Sequence, residues 1–159
     1  MKPRVFTTIV ELYHRNWLSK ALVLPKGNHD DIDLLGDRIG VELKCRYRVH
    51  SQRVAVHDDQ VEKFPREHPD HDLYWAFLFY SLQRPPKSIR QDEDVEPFIH
   101  QREVWCLPWP WIDQFSVSNA PTGPYRYVSK NDFPEQSYFA RVRRNQGVLY
   151  VPQQSALHR

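Results

Sequence analysis

Asp30-Asp31-Ile32-Asp33-Leu34-Leu35-Gly36-Asp37-Arg38-Ile39-Gly40-Val41-Glu42-Leu43-Lys44-Cys45-Arg46 is the stretch on which the reading of this chain turns. It predicts two short strands around a tight turn. Gly36-Asp37 fits the centre of a two-residue hairpin turn, with Gly supplying positive φ. Asp37-Arg38 is the alternative. Either turn puts Asp31 and Asp33 on the face that carries Gly40, Glu42 and Lys44, because strand side chains alternate. With Gly36-Asp37 as the turn, Asp31 lies opposite Glu42 and Asp33 is diagonal to it. With Asp37-Arg38, Asp33 itself lies opposite Glu42. A three-residue turn would send the aspartates to the other face. Ile39, Val41 and Leu43 fill the second face as core.

Like charges placed directly opposite each other in a sheet are unfavourable. The arrangement makes sense around a divalent cation, since hard cations such as magnesium take carboxylate oxygens, waters and substrate phosphates. Lys44 then points at the same place, where it can orient a water or offset charge on a phosphate. The plain alternative is an edge hairpin with a solvated polar face.

These elements, Asp31-Ile32-Asp33-Leu34-Leu35 and Val41-Glu42-Leu43-Lys44-Cys45-Arg46, resemble the PD-(D/E)XK nuclease superfamily with its restriction-endonuclease-like fold. The resemblance covers the start of the chain to Leu82, and the Pro before the Asp is missing. It implies an α/β (α+β) fold with a central mixed sheet flanked by helices. It implies a metal-dependent endonuclease that hydrolyses phosphodiester bonds in DNA and leaves a 5′-phosphate. Asp33, Glu42 and Lys44 are the expected catalytic set. Asp33, Glu42, the Leu43 carbonyl and, second to Asp33, Asp31 are the expected metal ligands. Mg2+ is the implied cofactor, with Mn2+ able to substitute, and a homodimer is a further expectation. Superfamily members often place an acidic residue on the first helix, here Glu11, and a Gln on a later one, here Gln60. The competing reading is a nucleic-acid-binding or assembly subunit of the same fold that never cuts.

The chain has 159 residues, 40% of them hydrophobic and 13% aromatic, which suits one domain with a real core. A net charge of +2 is too small to signal a polyanion partner by itself, so any contact needs a local patch. Two cysteines, Cys45 and Cys106, make neither a disulfide framework nor a Cys-x-x-Cys zinc site. The N-terminus lacks a signal-peptide pattern, and the longest apolar run, Leu73 to Tyr80, is too short to span a bilayer. A cytoplasmic protein is the expectation.

In chain order, Phe6, Ile9, Val10, Tyr13, Trp17 and Ala21 predict a helix over residues 5–20. Thr8 and Glu11 have capping-box spacing, so capping or solvation is the favoured role for Glu11. His14 reads as packed or solvated. Ala21-Leu22-Val23-Leu24 reads as the first strand. Arg46, Arg48, His50 and Arg53 follow the hairpin, and Arg46 and Arg48 are candidate phosphate contacts. Arg53–His57 reads as a strand, with Asp58 or Asp59 capping a helix that Pro65 and Pro69 shorten. His68-Pro69-Asp70-His71 reads as a loop rather than a metal site. Leu73–Leu82 suits a central strand covered on both faces.

The expected organisation is one domain over 1–159: a nuclease-like core 1–82, an exposed loop 83–97, and a β-rich extension 98–159 packed on the core. The paired prolines Pro85-Pro86 exclude regular structure in the loop. Its basic half could meet nucleic acid. Arg102–Leu107, Tyr125–Val128, Phe139–Arg144 and Val148–Val151 read as strands, and Trp109–Phe115 as a helical turn. Buried tryptophans are the safe reading there and base stacking the sharp one. Arg141 and Arg143 alternate onto one face as a candidate nucleic-acid contact.

Overall fold

A computed structural model describes residues 2–48 and 53–133, apart from the Pro3 side chain, and the backbone of 139–144 and 147–152. Helix α1 (Pro3–Leu22) comes first. Phe6, Val10, His14, Leu18 and Leu22 recur every four residues and form its buried stripe. The helix opens at Pro3, before Thr8, so the predicted capping box does not form. Thr8 instead donates its hydroxyl to the Arg4 carbonyl at 3.1 Å. The predicted strand Ala21–Leu24 is also overturned. Ala21 and Leu22 continue the helical stripe, and the helix stops at Val23, which is left-handed at φ 55°.

The sheet follows: β1 (Leu34–Leu35), β2 (Ile39–Tyr47), β4 (Asp72–Leu82) and β5 (Ile99–Pro108) lie side by side in that order, and the backbone of β9 (Gly147–Pro152) and β8 (Phe139–Arg144) extends it beyond β5. β2 runs parallel to β4, and β4 antiparallel to β5. The segment expected as an extension therefore supplies strands of the main sheet itself. β3 (Arg53–His57) pairs with β7 (Gly123–Ser129), and β7 with β6 (Val117–Ala120), in a separate antiparallel sheet. The fold is thus mixed α/β with two sheets and flanking helices.

β4 is the spine. Residues Leu73 to Tyr80 are all buried, as expected of a strand covered on both faces. Trp75 stacks on Trp109 with ring centres 3.8 Å apart and donates its indole N–H to the Trp109 carbonyl. Trp111 stacks against Phe133 and packs on Phe77. Trp109 and Trp111 are thus packing residues, which removes them as base-stacking surfaces. Burying a side chain of this size contributes roughly 2–3 kcal/mol.

Helix α2 (Asp58–Glu67) is capped by His57 rather than by an aspartate. The His57 ring accepts the Asp59 N–H, and Asp58 and Asp59 occupy the first turn. The 83–97 loop differs from expectation in two ways. Pro86–Ser88 forms a short 3-10 turn, and Ile89 and Val95 are buried anchors. Its basic side chains are also engaged, Arg84 with Glu93 and Arg90 with Asp92. Among the described residues, no helix is long and apolar enough to cross a membrane.

Candidate active site

The hairpin selects the second of the two expected turns. Leu34 pairs with Val41 and Leu35 with Gly40, and the Gly36 N–H bonds the Ile39 carbonyl at 2.8 Å. Asp37 and Arg38 are thus the two loop residues, and Gly36 does not adopt positive φ. Extending the register by one residue sets Asp33 opposite Glu42.

On its side away from β2, β1 is held by the chain before it. Gly27 donates to the Asp33 carbonyl at 2.8 Å, and the Leu35 N–H bonds Pro25. A Cβ at Gly27 would lie 2.0 Å from the Ile32 carbonyl oxygen, so this close approach requires glycine. Arg15, from α1, clamps the junction. Its guanidinium donates to the Gly27 carbonyl at 2.6 Å and the Asp33 carbonyl at 3.2 Å. Arg15 went unnoticed in the sequence, although it sits one helical turn beyond Glu11.

The Asp33 carboxylate accepts the Leu43 N–H at 2.8 Å, replacing the strand partner that Leu43 lacks on that side. Its other oxygen is 3.9 Å from Arg15. Glu42 is 5% exposed, and its Oε2 has no hydrogen-bond partner among the described residues. Burial, then proton sharing and charge repulsion with Asp33, hold the Glu42 carboxyl far above the usual carboxylate range; Lys44 and Arg15 oppose this. Lys44 donates to Gln60 Oε1 at 2.6 Å, so α2 fixes the ammonium group.

Asp33, Glu42, Leu43, Lys44 and Arg46 line one cleft of about 370 Å³ with Glu11 and Arg15 of α1. Glu11 therefore faces the cleft rather than serving as a cap. Partial burial raises its carboxyl pKa, with Lys44 and Arg46 pulling down and Asp33 pushing up.

Other expected residues lie elsewhere. Asp31 turns away, because Asp30 is left-handed at φ 66° and strand geometry is lost before Asp33. Its carboxylate meets His68 Nε2 at 2.7 Å and the Ile32 N–H at 2.7 Å. Burial works against its ionisation, but these bonds and nearby Lys63 hold its pKa below the ordinary value. The group Asp31, Glu67 and His68 brings three ligand-type atoms within 4.8 Å of one another. His68 was read as a loop residue; it is the C-cap of α2. Arg48 is taken by Glu103, which Lys130 also reaches at 2.8 Å, so it does not serve the cleft. Arg141 and Arg143 lie in β8, but their side chains fall outside the described residues, as does His50.

No family model, curated relative or solved structure matches this chain. Its chemistry must be argued from the cleft. Two carboxyl groups face each other, one with an unpartnered buried oxygen, and a third carboxyl and a fixed lysine stand beside them. An oxygen-rich donor set of this kind fits a hard divalent cation.

Proposed function

We propose that this protein is a magnesium-dependent endonuclease that hydrolyses DNA phosphodiester bonds, in the manner of the PD-(D/E)XK nucleases it resembles. The observation that carries the reading is Glu42 Oε2, buried and unpartnered beside Asp33 in a cleft that Lys44 shares. Asp33, Glu42 and the Leu43 carbonyl would hold the metal, and Glu11 lines the same cleft. A bound magnesium ion supplies a Lewis acid and lowers the pKa of water.

The chain's own residues do the rest. Lys44, steadied by Gln60, presents an N–H to the attacking water or to a phosphoryl oxygen as charge builds on it. Arg46 lies along the same wall and positions the flanking phosphate. Arg15 holds the Asp33 backbone, which keeps the two carboxyl groups facing each other. A homodimer, which would bring two such sites to the two strands of a duplex, belongs to this proposal.

The test is cleavage of plasmid, single-stranded and branched DNA with Mg2+, with Mn2+ and with chelator. Metal-dependent cutting that Glu42→Ala and Lys44→Ala abolish supports the proposal. A gel shift with no cutting at any metal concentration, unaffected by chelator, would replace it with a binding subunit that never cleaves.

A further inference from the structure

The three-stranded sheet has two unlike faces. Register places Val54, Val56, Arg126 and Val128 on one of them. The three valines are buried, and Arg126 reaches Asp58 of α2 at 2.9 Å, so this face packs on the molecule. The opposite face carries Arg53, Ala55 and His57 from β3, and Tyr125, Tyr127 and Ser129 from β7. Tyr125 and Tyr127 are half-buried, and Arg53 is exposed.

The rings on this face are ordered. Tyr125 and Tyr127 have centres 6.2 Å apart and planes tilted by 38°. The Arg53 guanidinium lies 4.5 Å from the centre of the Tyr127 ring. His57 meets Tyr125 edge-on at 5.0 Å. The His57 ring also covers Gly123, where a Cβ would come within 2.8 Å of Nε2 and φ is +126°, so glycine is needed twice over. Across the sheet Tyr127 faces Ala55 on β3, while Tyr125 lies between Ser118 on β6 and the His57 ring on β3. Ala55 is also part of the wall of the cleft.

A cross-strand aromatic pair by itself stabilises a sheet. That role does not call for a cation over one of the rings, nor for a place on a strand, β3, that borders a cleft holding Lys44 and Arg46. We propose that this face is a stacking platform for unpaired bases of a DNA strand whose backbone passes into the cleft. Bases stack on aromatic rings whatever their sequence, and a neighbouring arginine adds charge for the phosphates. The inference rests on the nuclease reading for its substrate. It sharpens that reading to DNA with a single-stranded stretch.

The experiment measures fluorescence anisotropy of labelled oligo-dT with the full chain in chelator, where nothing is cut. Tyr125→Leu with Tyr127→Leu keeps apolar bulk for the sheet and removes both rings. This double variant is expected to bind about tenfold or more weakly. Tyr125→Phe and Tyr127→Phe are expected to bind like wild type. A second arm uses wild-type protein and oligo-dT carrying 5-iodouracil, with photo-cross-links expected on Tyr125 or Tyr127.

Unchanged oligo-dT affinity in the folded double variant overturns the platform. If that variant does not fold, cross-links that map elsewhere overturn it. Tighter binding to oligo-U than to oligo-dT overturns the assignment to DNA. Glu42→Gln separates the two claims: it is expected to lose cleavage and keep oligo-dT binding. Platform-dependent binding by a protein that never cuts defeats the nuclease reading alone. Normal cutting with ring-independent binding defeats the platform alone.

Discussion

β2 has a buried polar group against each of its faces, and the two groups have opposite fates. Glu42 points into the cleft, and His14 of α1 covers Cys45 on the other side, 3.5 Å from its sulfur. Both are buried, and each keeps one atom without a partner among the described residues, Glu42 Oε2 and His14 Nε2. Their company differs. His14 is ringed by Tyr13, Trp17 and Tyr80 and bonds the Val10 carbonyl through Nδ1. Glu42 has another carboxyl, a lysine and an arginine around it. His14 sits mostly among aromatic rings, whereas Glu42 sits among charges, the setting on which the proposed metal site rests. Burial and then the Arg102 charge push the His14 pKa down to about 3, so His14 stays neutral.

The largest expected effect separates the two in activity. Glu42→Gln should lower metal-dependent DNA cleavage by about 10²–10³-fold or more. His14→Gln should leave it within a few-fold in protein that is still folded. Single-turnover cleavage of plasmid decides, and equal losses in both variants would erase the distinction between the two groups.

Acid stability comes next. His14 has a folded pKa below its unfolded value of 6.5, so its contribution is complete above that pH and is lost as pH falls toward about 3. By pH 4 the loss should be about 3 kcal/mol. Urea unfolding at pH 7 and pH 4 measures it, and in His14→Gln this part of the acid dependence should vanish.

Glu42 gives the opposite sign. Its folded pKa lies above the ordinary value of 4.5, so metal-free protein should lose stability as pH rises out of the carboxylate range. Glu42→Gln in chelator should therefore unfold at higher urea than wild type at pH 8. Magnesium or manganese should raise the wild-type midpoint and not that of the variant.

The smallest effect concerns Asp31. Asp31→Asn removes the charge from the bond to His68, at a cost of about 1 kcal/mol, and should leave cleavage unchanged. A loss of cleavage comparable to that of Glu42→Gln would return Asp31 to the metal site.

Much of the cleft was legible because the hairpin is local: alternation and a two-residue turn put Asp33 on the face of Glu42 and Lys44, though which aspartate lies opposite Glu42 was left between two turns until the observed register. β3, β4 and the Gln60 position on α2 were legible for the same reason. Asp31 was not, since one left-handed residue at Asp30 takes the segment out of strand geometry and a histidine 37 positions later captures the side chain. The Ala21–Leu24 run misled because a short apolar run reads equally as a strand or as the end of a buried helix stripe. The second sheet was hidden by distance, for β3 pairs with a strand some 70 residues away that no local pattern announces.

The brevity of β1 has one more consequence. Beyond Val41, no described strand is hydrogen-bonded along the outer margin of β2, the margin a second chain would have to join. The polar groups of the cleft also stand guard there. The Asp33 carboxylate occupies the first free N–H, and Lys44 and Arg46 place like charge in the path of any identical strand. Neutralising both cations is expected to promote self-association, which light scattering measures.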